Sequence, residues 1–306
     1  MGRSTERHTS ELPLRCGART LAAVALLAIG GITAAGGITT AEEAGCMFVQ
    51  AHRGFSEHYP ENTLAAFRAA VDAGADRVEM DLAITRDDVV VLLHDRTLDR
   101  TTDGRGPVSS FPYDHVRGLD AGSWMDVRFA GERVPALRDV LAELADEAVL
   151  NLELKTNDRT AALAARTLDA TLDLLEELDA FDRVVLSSFD ALALRAAAER
   201  EPRLRTLLID WNPPSASDGL SLAIDFGFWG WSPRAGYADA ERIGRAKEAG
   251  LHVHVGASAA SDLRGLAHWG VDGVSSNDTA ALVAALERAG LRTPGVGCDA
   301  LGTWPR

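Results

Sequence analysis

The sequence predicts an α/β fold: one (β/α)8 TIM barrel carrying a β-hairpin and an insertion after its second strand. Three observations point there. From residue 46 onward, eight short apolar runs alternate with amphipathic helical stretches, which is the pattern of repeated parallel βα units. Several helical stretches stop at a glycine (Gly74, Gly250, Gly270, Gly290), the residue that takes the left-handed conformation at a helix end most easily. One extra apolar run, 89–94, follows the second strand after only Thr85-Arg86-Asp87-Asp88. So short a connection cannot return the chain for a parallel strand, so the run must fold back as a hairpin.

In order, the expected barrel strands are 47–52, 76–83, 149–154, 183–188, 204–209, 227–231, 251–255 and 271–275. Each is an apolar run of strand length bounded by polar or turn residues. Helical periodicity covers 63–73, 137–145, 160–178, 191–200, 238–249 and 279–289. With Asp87-Asp88 as the turn centre, hairpin partners have residue numbers summing to 175, which sets His94 opposite Asp81 on one face. A slip of one residue would turn His94 away. Residues 96–135 are polar and rich in Gly and Pro, an insertion above the barrel mouth. No shorter repeat or low-complexity linker interrupts the pattern, so residues 46–292 form one domain, with 293–306 as a C-terminal tail.

Residues 1–41 read as a cleaved signal peptide. Arg3, Arg7, Arg15 and Arg19 precede an uncharged apolar run from Leu21 to Gly37, and Thr39 and Ala41 offer small side chains at −3 and −1. The run is short for a transmembrane span; an uncleaved anchor is the alternative. The expected location is therefore secreted or cell-envelope, with no stable membrane insertion after cleavage. Cys46 and Cys298 remain in the mature chain, and in an oxidising compartment they stand either as a bridge between the two chain ends or as two unpaired thiols. A net charge of −14 argues against a nucleic-acid partner, which needs a basic face. An anionic ligand would have to be met by individual cations; only two lysines occur, Lys155 and Lys247. Oligomeric state is not legible.

The chemistry gathers where barrel enzymes keep it, at the carboxyl ends of strands. His52 closes the first strand. Glu79 and Asp81 share a face near the end of the second, and Glu153 and Lys155 do so at the end of the third. Three carboxylates converging on one rim would repel unless a cation sat among them, and oxygen-only ligands favour Mg²⁺ or Ca²⁺. Two imidazoles, two cationic side chains and a divalent ion suit cleavage of a phosphate ester. Each residue alone has an ordinary structural role available; their shared position makes the set informative.

Read together, His52-Arg53-Gly54, Pro60-Glu61-Asn62-Thr63, Glu79-x-Asp81, Val-Leu-Leu-His94-Asp95 and Glu153-x-Lys155 resemble the signature of the glycerophosphodiester phosphodiesterases, in order and spacing. Thr101-Thr102-Asp103-Gly104 and Leu119-Asp120-Ala121-Gly122-Ser123-Trp124 resemble that family's insertion. The resemblance implies a barrel like that of the phosphatidylinositol phospholipases C. It implies hydrolysis of glycerophosphodiesters to sn-glycerol 3-phosphate and an alcohol, with Glu79, Asp81 and Glu153 binding the divalent cation. His52 and His94 would be the acid/base pair; Arg53 and Lys155 would contact the substrate phosphate; Glu61 and Asn62 would support the site, Asn62 also being a candidate substrate contact. The last third departs from the pattern: His252-Val253-His254-Val255-Gly256 and Ser275-Ser276-Asn277-Asp278 replace its usual residues, so the aromatic wall expected there is missing. Trp229 or Trp231 could restore it, and His254 could substitute. Rival readings are a phospholipase C- or sphingomyelinase D-like enzyme using an apolar rim (Phe111, Trp124, Met125, Phe129), and a secreted barrel that binds without turnover.

Overall fold

The computed structural model describes residues 46–157, 159–213 and 218–302; the expected leader at 1–41 lies outside them. Among these residues nine strands form one sheet. Eight of them close into a parallel barrel in the order β1 (Phe48–Ala51), β2 (Arg77–Ile84), β4 (Val149–Leu154), β5 (Val184–Ser188), β6 (Arg205–Asp210), β7 (Gly230–Pro233), β8 (His252–Gly256) and β9 (Gly273–Ser276), and β9 pairs back with β1. The (β/α)8 expectation therefore holds. β3 (Val90–Leu92) is the extra run, antiparallel to the upper end of β2.

Alternation along the strands builds two layers. On β2, Val78, Met80 and Leu82 face the helices and join the main apolar core, as do Leu150, Leu152 and Leu154 on β4. The intervening Glu79, Asp81, Asn151 and Glu153 are left to point into the barrel, buried. The helices α1 (Leu64–Asp72), α3 (Leu137–Leu144), α4 (Ala161–Glu177), α5 (Ala191–Arg200), α7 (Ala240–Glu248) and α9 (Thr279–Ala289) match the periodic stretches within a few residues. Two short helices, α6 (Gly219–Asp225) and α8 (Leu263–Trp269), fill the remaining crossovers. Their periodic runs are too brief to stand out, although Asp218 and Asp262 cap their first turns.

The hairpin departs from the expected register by one. Ile84 pairs with Val90 and Leu82 with Leu92, so partners sum to 174. The turn has three central residues, Arg86 to Asp88, and Asp88 takes the left-handed conformation at φ +64°, which aspartate tolerates better than most side chains. Thr85 fixes the loop by accepting from the Val89 N–H at 3.1 Å and donating to Asp87 at 2.7 Å. The ladder ends before His94, so His94 is not a cross-strand partner of Asp81; the Leu93 N–H donates to the Asp81 carbonyl instead. The insertion, which contains α2 (Tyr113–Val116), builds a small core of Leu98, Val108, Val116 and Val134 against Val91 and Leu93.

Residues 293–302 are not a loose tail. They fold under the amino-terminal face of the barrel, where the Cys298 N–H donates to Asp76 at 2.7 Å and Arg77 donates to the Ala300 carbonyl. Cys46 and Cys298 are disulfide-bonded with Cα atoms 5.6 Å apart and a sequence separation of 252. Closing so long a loop restricts the unfolded chain by about 5 kcal/mol in the chain-entropy picture. Cys298→Ser is expected to lower unfolding stability by about 2–5 kcal/mol, read from denaturant melts; an unchanged midpoint would show that the bridge contributes nothing.

Candidate active site

Parallel register assembles the acidic cluster. Asp81 lies beside Glu153 and Glu79 beside Asn151 across the β2–β4 pair, which brings one oxygen from each of Glu79, Asp81 and Glu153 within 4.8 Å of the others. All three residues are at least 95% buried, Glu153 being the most accessible at 5%. Glu79 Oε1 accepts no hydrogen bond from the protein, and Asp81 Oδ1 and Glu153 Oε1 meet only the Lys155 ammonium. Burial, reinforced by Asp81 and Glu153, pushes the Glu79 carboxyl well above its ordinary range. Burial likewise raises Glu153, with Asp81 adding to it. For Asp81 burial acts in the same sense, but Lys155 and Arg53 outweigh it and hold the carboxyl low. Lys155 Nζ stands 2.8 Å from Glu153 and 3.3 Å from Asp81.

The turn after β1 supplies the neighbouring cation. Arg53 sits in the left-handed region at φ +57° and Gly54 follows at φ +79°. A Cβ at Gly54 would lie 2.7 Å from the Ala66 backbone, so only glycine fits and the chain can turn sharply. That turn points the Arg53 N–H at Glu79 Oε2 (2.7 Å), its Nη1 at Glu61 (3.0 Å) and its Nε at Asp81 (3.3 Å). Arg100 ties Glu61 and Asp95 together through paired bonds of 2.7 to 3.0 Å. Of the two roles open to it, Asn62 takes the supporting one. It is 2% exposed, its Nδ2 donates to Asp81 Oδ2 at 2.7 Å, and its Oδ1 accepts from the Asp81 N–H at 3.1 Å. Both ends of its amide are spent orienting the aspartate.

The two histidines reach the site from different elements. His52 is held by the seam between β1 and β9: its N–H donates to the Ser276 carbonyl at 3.0 Å and its Nδ1 lies 2.6 Å from Asn277 Oδ1. Burial, and then the Arg53 charge, pull the His52 imidazole below its ordinary value. His94 follows β3, with Nδ1 2.7 Å from Asp95 Oδ1. Asp95 is held at a pKa of about 2, first by its hydrogen bond from Arg100. In both rings the Nδ1 hydrogen is taken by an oxygen acceptor, which leaves Nε2 for other work.

One cleft of about 830 Å³ at the carboxyl ends of the strands is lined by His52, Arg53, Glu79, His94, Glu153 and Lys155. Its floor is polar: Gln50 bonds to Asn151 at 3.1 Å and to Ser275 at 3.3 Å, and His254 Nε2 lies 3.4 Å from Gln50 and 3.2 Å from Ser232. His254 is therefore a floor residue, kept neutral by burial with a pKa of about 3. The opposite wall was missed from sequence. It is made by Phe189 and Trp211, which follow β5 and β6 directly, together with Ile209 and Pro233. Trp229 and Trp231 are 2% and 0% exposed; the first stacks on His252 and the second packs in the outer core, so neither forms wall. Phe111 and Phe129 are spent on neighbours, Phe111 on the insertion core and Phe129 on Tyr59. Lys247 pairs with Asp272 at 2.6 Å, away from these groups.

A family model described as the glycerophosphoryl diester phosphodiesterase family matches residues 52–281. The chain belongs to that family. A glycerophosphodiester phosphodiesterase of Caldanaerobacter subterraneus is 38% identical over 162 residues, an alignment covering 53% of this chain and 65% of the relative. The first curated relatives are thus matched over 65% of their own length. A glycerophosphodiester phosphodiesterase of Bacillus subtilis is 30% identical over 74% of this chain and 82% of its own. Among solved structures, a phosphodiesterase of Oleispira antarctica in complex with the product sn-glycerol-3-phosphate superposes with a TM-score of 0.70 at 28% identity, covering 79% of this chain and 97% of that one. The family's barrel and this chain's barrel are the same fold.

Proposed function

We propose that this chain hydrolyses glycerophosphodiesters to sn-glycerol 3-phosphate and an alcohol, using two histidines and a divalent cation. The observation that carries the reading is a single cleft lined by both imidazoles, Lys155, Arg53 and two members of the three-carboxylate cluster, Glu79 and Glu153, with Asp81 buried beside them. The name of the product-bound Oleispira protein agrees with it.

The donor set fits a hard cation. Three buried carboxylates face only two cationic side chains, Lys155 and Arg53, and Glu79 Oε1 has no hydrogen-bond partner at all; that excess of buried negative charge is unfavourable without a further cation. Glu79, Asp81 and Glu153 would hold Mg²⁺ or Ca²⁺. When bound, the ion supplies Lewis-acid charge neutralisation at the phosphate. Lys155, at the edge of the cluster, adds a second positive charge for the oxygens of the phosphodiester. Arg53 chiefly fixes Glu61, Glu79 and Asp81 in place and contributes its field to the same region.

The proton work divides by environment. A neutral His52, with Nδ1–H held by Asn277, presents a bare Nε2 and suits the general base that takes a proton from the attacking hydroxyl or water. His94, with its Nδ1 held by the Asp95 carboxylate and its Nε2 left free, suits the general acid that protonates the leaving alkoxide. Asn62→Ala frees Asp81 without touching the cleft and is expected to weaken cation affinity about 10- to 100-fold, read by calorimetric titration; unchanged affinity would refute the orienting role. A leader cleaved after Ala41 would deliver the barrel to an oxidising compartment, the setting in which the Cys46–Cys298 bridge persists. The reading as a whole is tested by incubating purified protein with a panel of glycerophosphodiesters, with Mg²⁺, Ca²⁺ or EDTA, and identifying the products.

A further inference from the structure

We infer that the leaving-alcohol side of the cleft is built for an apolar substituent, with Trp211 as its specificity-determining residue. This rests on the phosphodiesterase reading and names the substrate class for the same site.

Three observations carry it. First, the wall opposite the acidic cluster is aromatic and aliphatic: Phe189, Ile209, Trp211 and Pro233 line it, supplied by the carboxyl ends of adjacent strands β5, β6 and β7. Phe189 and Trp211 meet edge to face, with centroids 5.2 Å apart and planes at 86°, so each fixes the other and the indole face has one orientation. Second, Trp211 is 55% exposed. An indole left that far in water, braced by a neighbouring ring and bordering a cleft, has apolar area free for a ligand. Trp231 on the next strand and Trp229 just before it are spent on packing. Third, the charges on that side do not suit a cationic headgroup. Among the described residues, the carboxylates lining the cleft are Glu79 and Glu153 of the acidic cluster, and the charged residue beside the aromatic wall is Arg234. An ammonium placed against Trp211 would find one half-exposed ring and a like charge; an alkyl or acyl chain would find area to cover. Space is available too, since a Cβ on Gly256, which lines the cleft from the end of neighbouring β8, would meet nothing within 4 Å.

The expected substrates are glycerophosphodiesters whose second alcohol carries an alkyl, aryl or acyl-bearing group. The test is a homologous series of glycerophosphoalkanols from methanol to octanol, kept below micellar concentration and compared with glycerophosphocholine. Hydrolysis rates and calorimetric dissociation constants are both measured. In the wild type, kcat/KM and affinity are expected to rise by about twofold per methylene, because one side of the chain is covered. In Trp211→Ala the octyl-to-methyl ratio is expected to fall close to one, and Trp211→Phe to restore part of it. A flat chain-length profile, an undiminished ratio in Trp211→Ala, or a choline ester outpacing the octyl ester would overturn the inference while leaving the phosphodiesterase reading in place. Affinity that climbs with chain length and falls in Trp211→Ala, with no ester cleaved, would uphold the apolar wall and remove the hydrolytic reading instead.

Discussion

Replacing His94 with alanine is expected to lower kcat at least about 100-fold, within the 10²–10⁴ range of a lost general acid or base, while the thermal unfolding midpoint stays within a few degrees. His94 sits after β3 with its ring half-buried against Asp95, so its loss removes little packing. His52→Ala is expected to have an effect of the same order, and the double variant to lose far less than the product of the two, because a base and an acid serving one displacement fail as a unit. Asp95→Asn should act through His94: it keeps the shape, removes the carboxylate that fixes the Nδ1–H, and lowers kcat more than it changes KM. Retention of more than about a tenth of wild-type turnover in either histidine variant would contradict the two-histidine scheme.

The second large effect concerns the acidic cluster. In metal-free protein the Glu79 carboxyl is pushed up by burial, with Asp81 and Glu153 adding to it. A group whose pKa is higher in the folded than in the unfolded chain binds more protons when folded, so its contribution to stability is present at low pH and is lost as pH rises through the folded value. Metal-free protein should therefore lose stability from this source between the ordinary carboxylate range and the raised Glu79 value, and a divalent cation should restore it. The expected result is a thermal shift on adding Mg²⁺ or Ca²⁺ that is larger at pH 8 than at pH 5. A cation at 100 times its dissociation constant is worth about 2.7 kcal/mol. Glu79→Gln should abolish that shift and the activity together, yet leave the metal-free protein at least as stable as the wild type at pH 8. A variant that lost activity but kept the full shift would place the ion elsewhere.

Much of this was legible in the sequence, for identifiable reasons. Strand-end placement is a strong signal because a barrel gives its catalytic rim to whichever side chains close the strands, and Glu79, Asp81, Glu153 and Lys155 needed only strand alternation to be set on one face. The hairpin was legible but its register was not. A two-residue turn and a three-residue turn closed by a left-handed Asp88 are equally compatible with Thr85-Arg86-Asp87-Asp88, and the choice between them depends on local hydrogen bonds from Thr85. Asn62 was legible as part of the site but not in direction, because its motif is silent about that; the loop in which Arg53 and Asn62 both take a positive φ turns the amide inward to Asp81. Phe189 and Trp211 lay outside every periodic pattern, as single residues just past β5 and β6. The one available clue was an aromatic immediately after a barrel strand, the same clue that marks His52 after β1. The tryptophans inside the strand-like run 227–231 drew attention because they were in an element, and packing consumed them for that same reason.

The central claim is that one cleft uses a cation and two histidines to split glycerophosphodiesters. The most direct measurement is phosphorus NMR of glycerophosphodiester incubated with purified protein, before and after exhaustive EDTA dialysis and after Mg²⁺ or Ca²⁺ is restored. The expected result is conversion to sn-glycerol 3-phosphate and free alcohol, abolished by dialysis and recovered with the ion. Undiminished conversion after dialysis, or release of a phosphorylated alcohol with free glycerol, would contradict it.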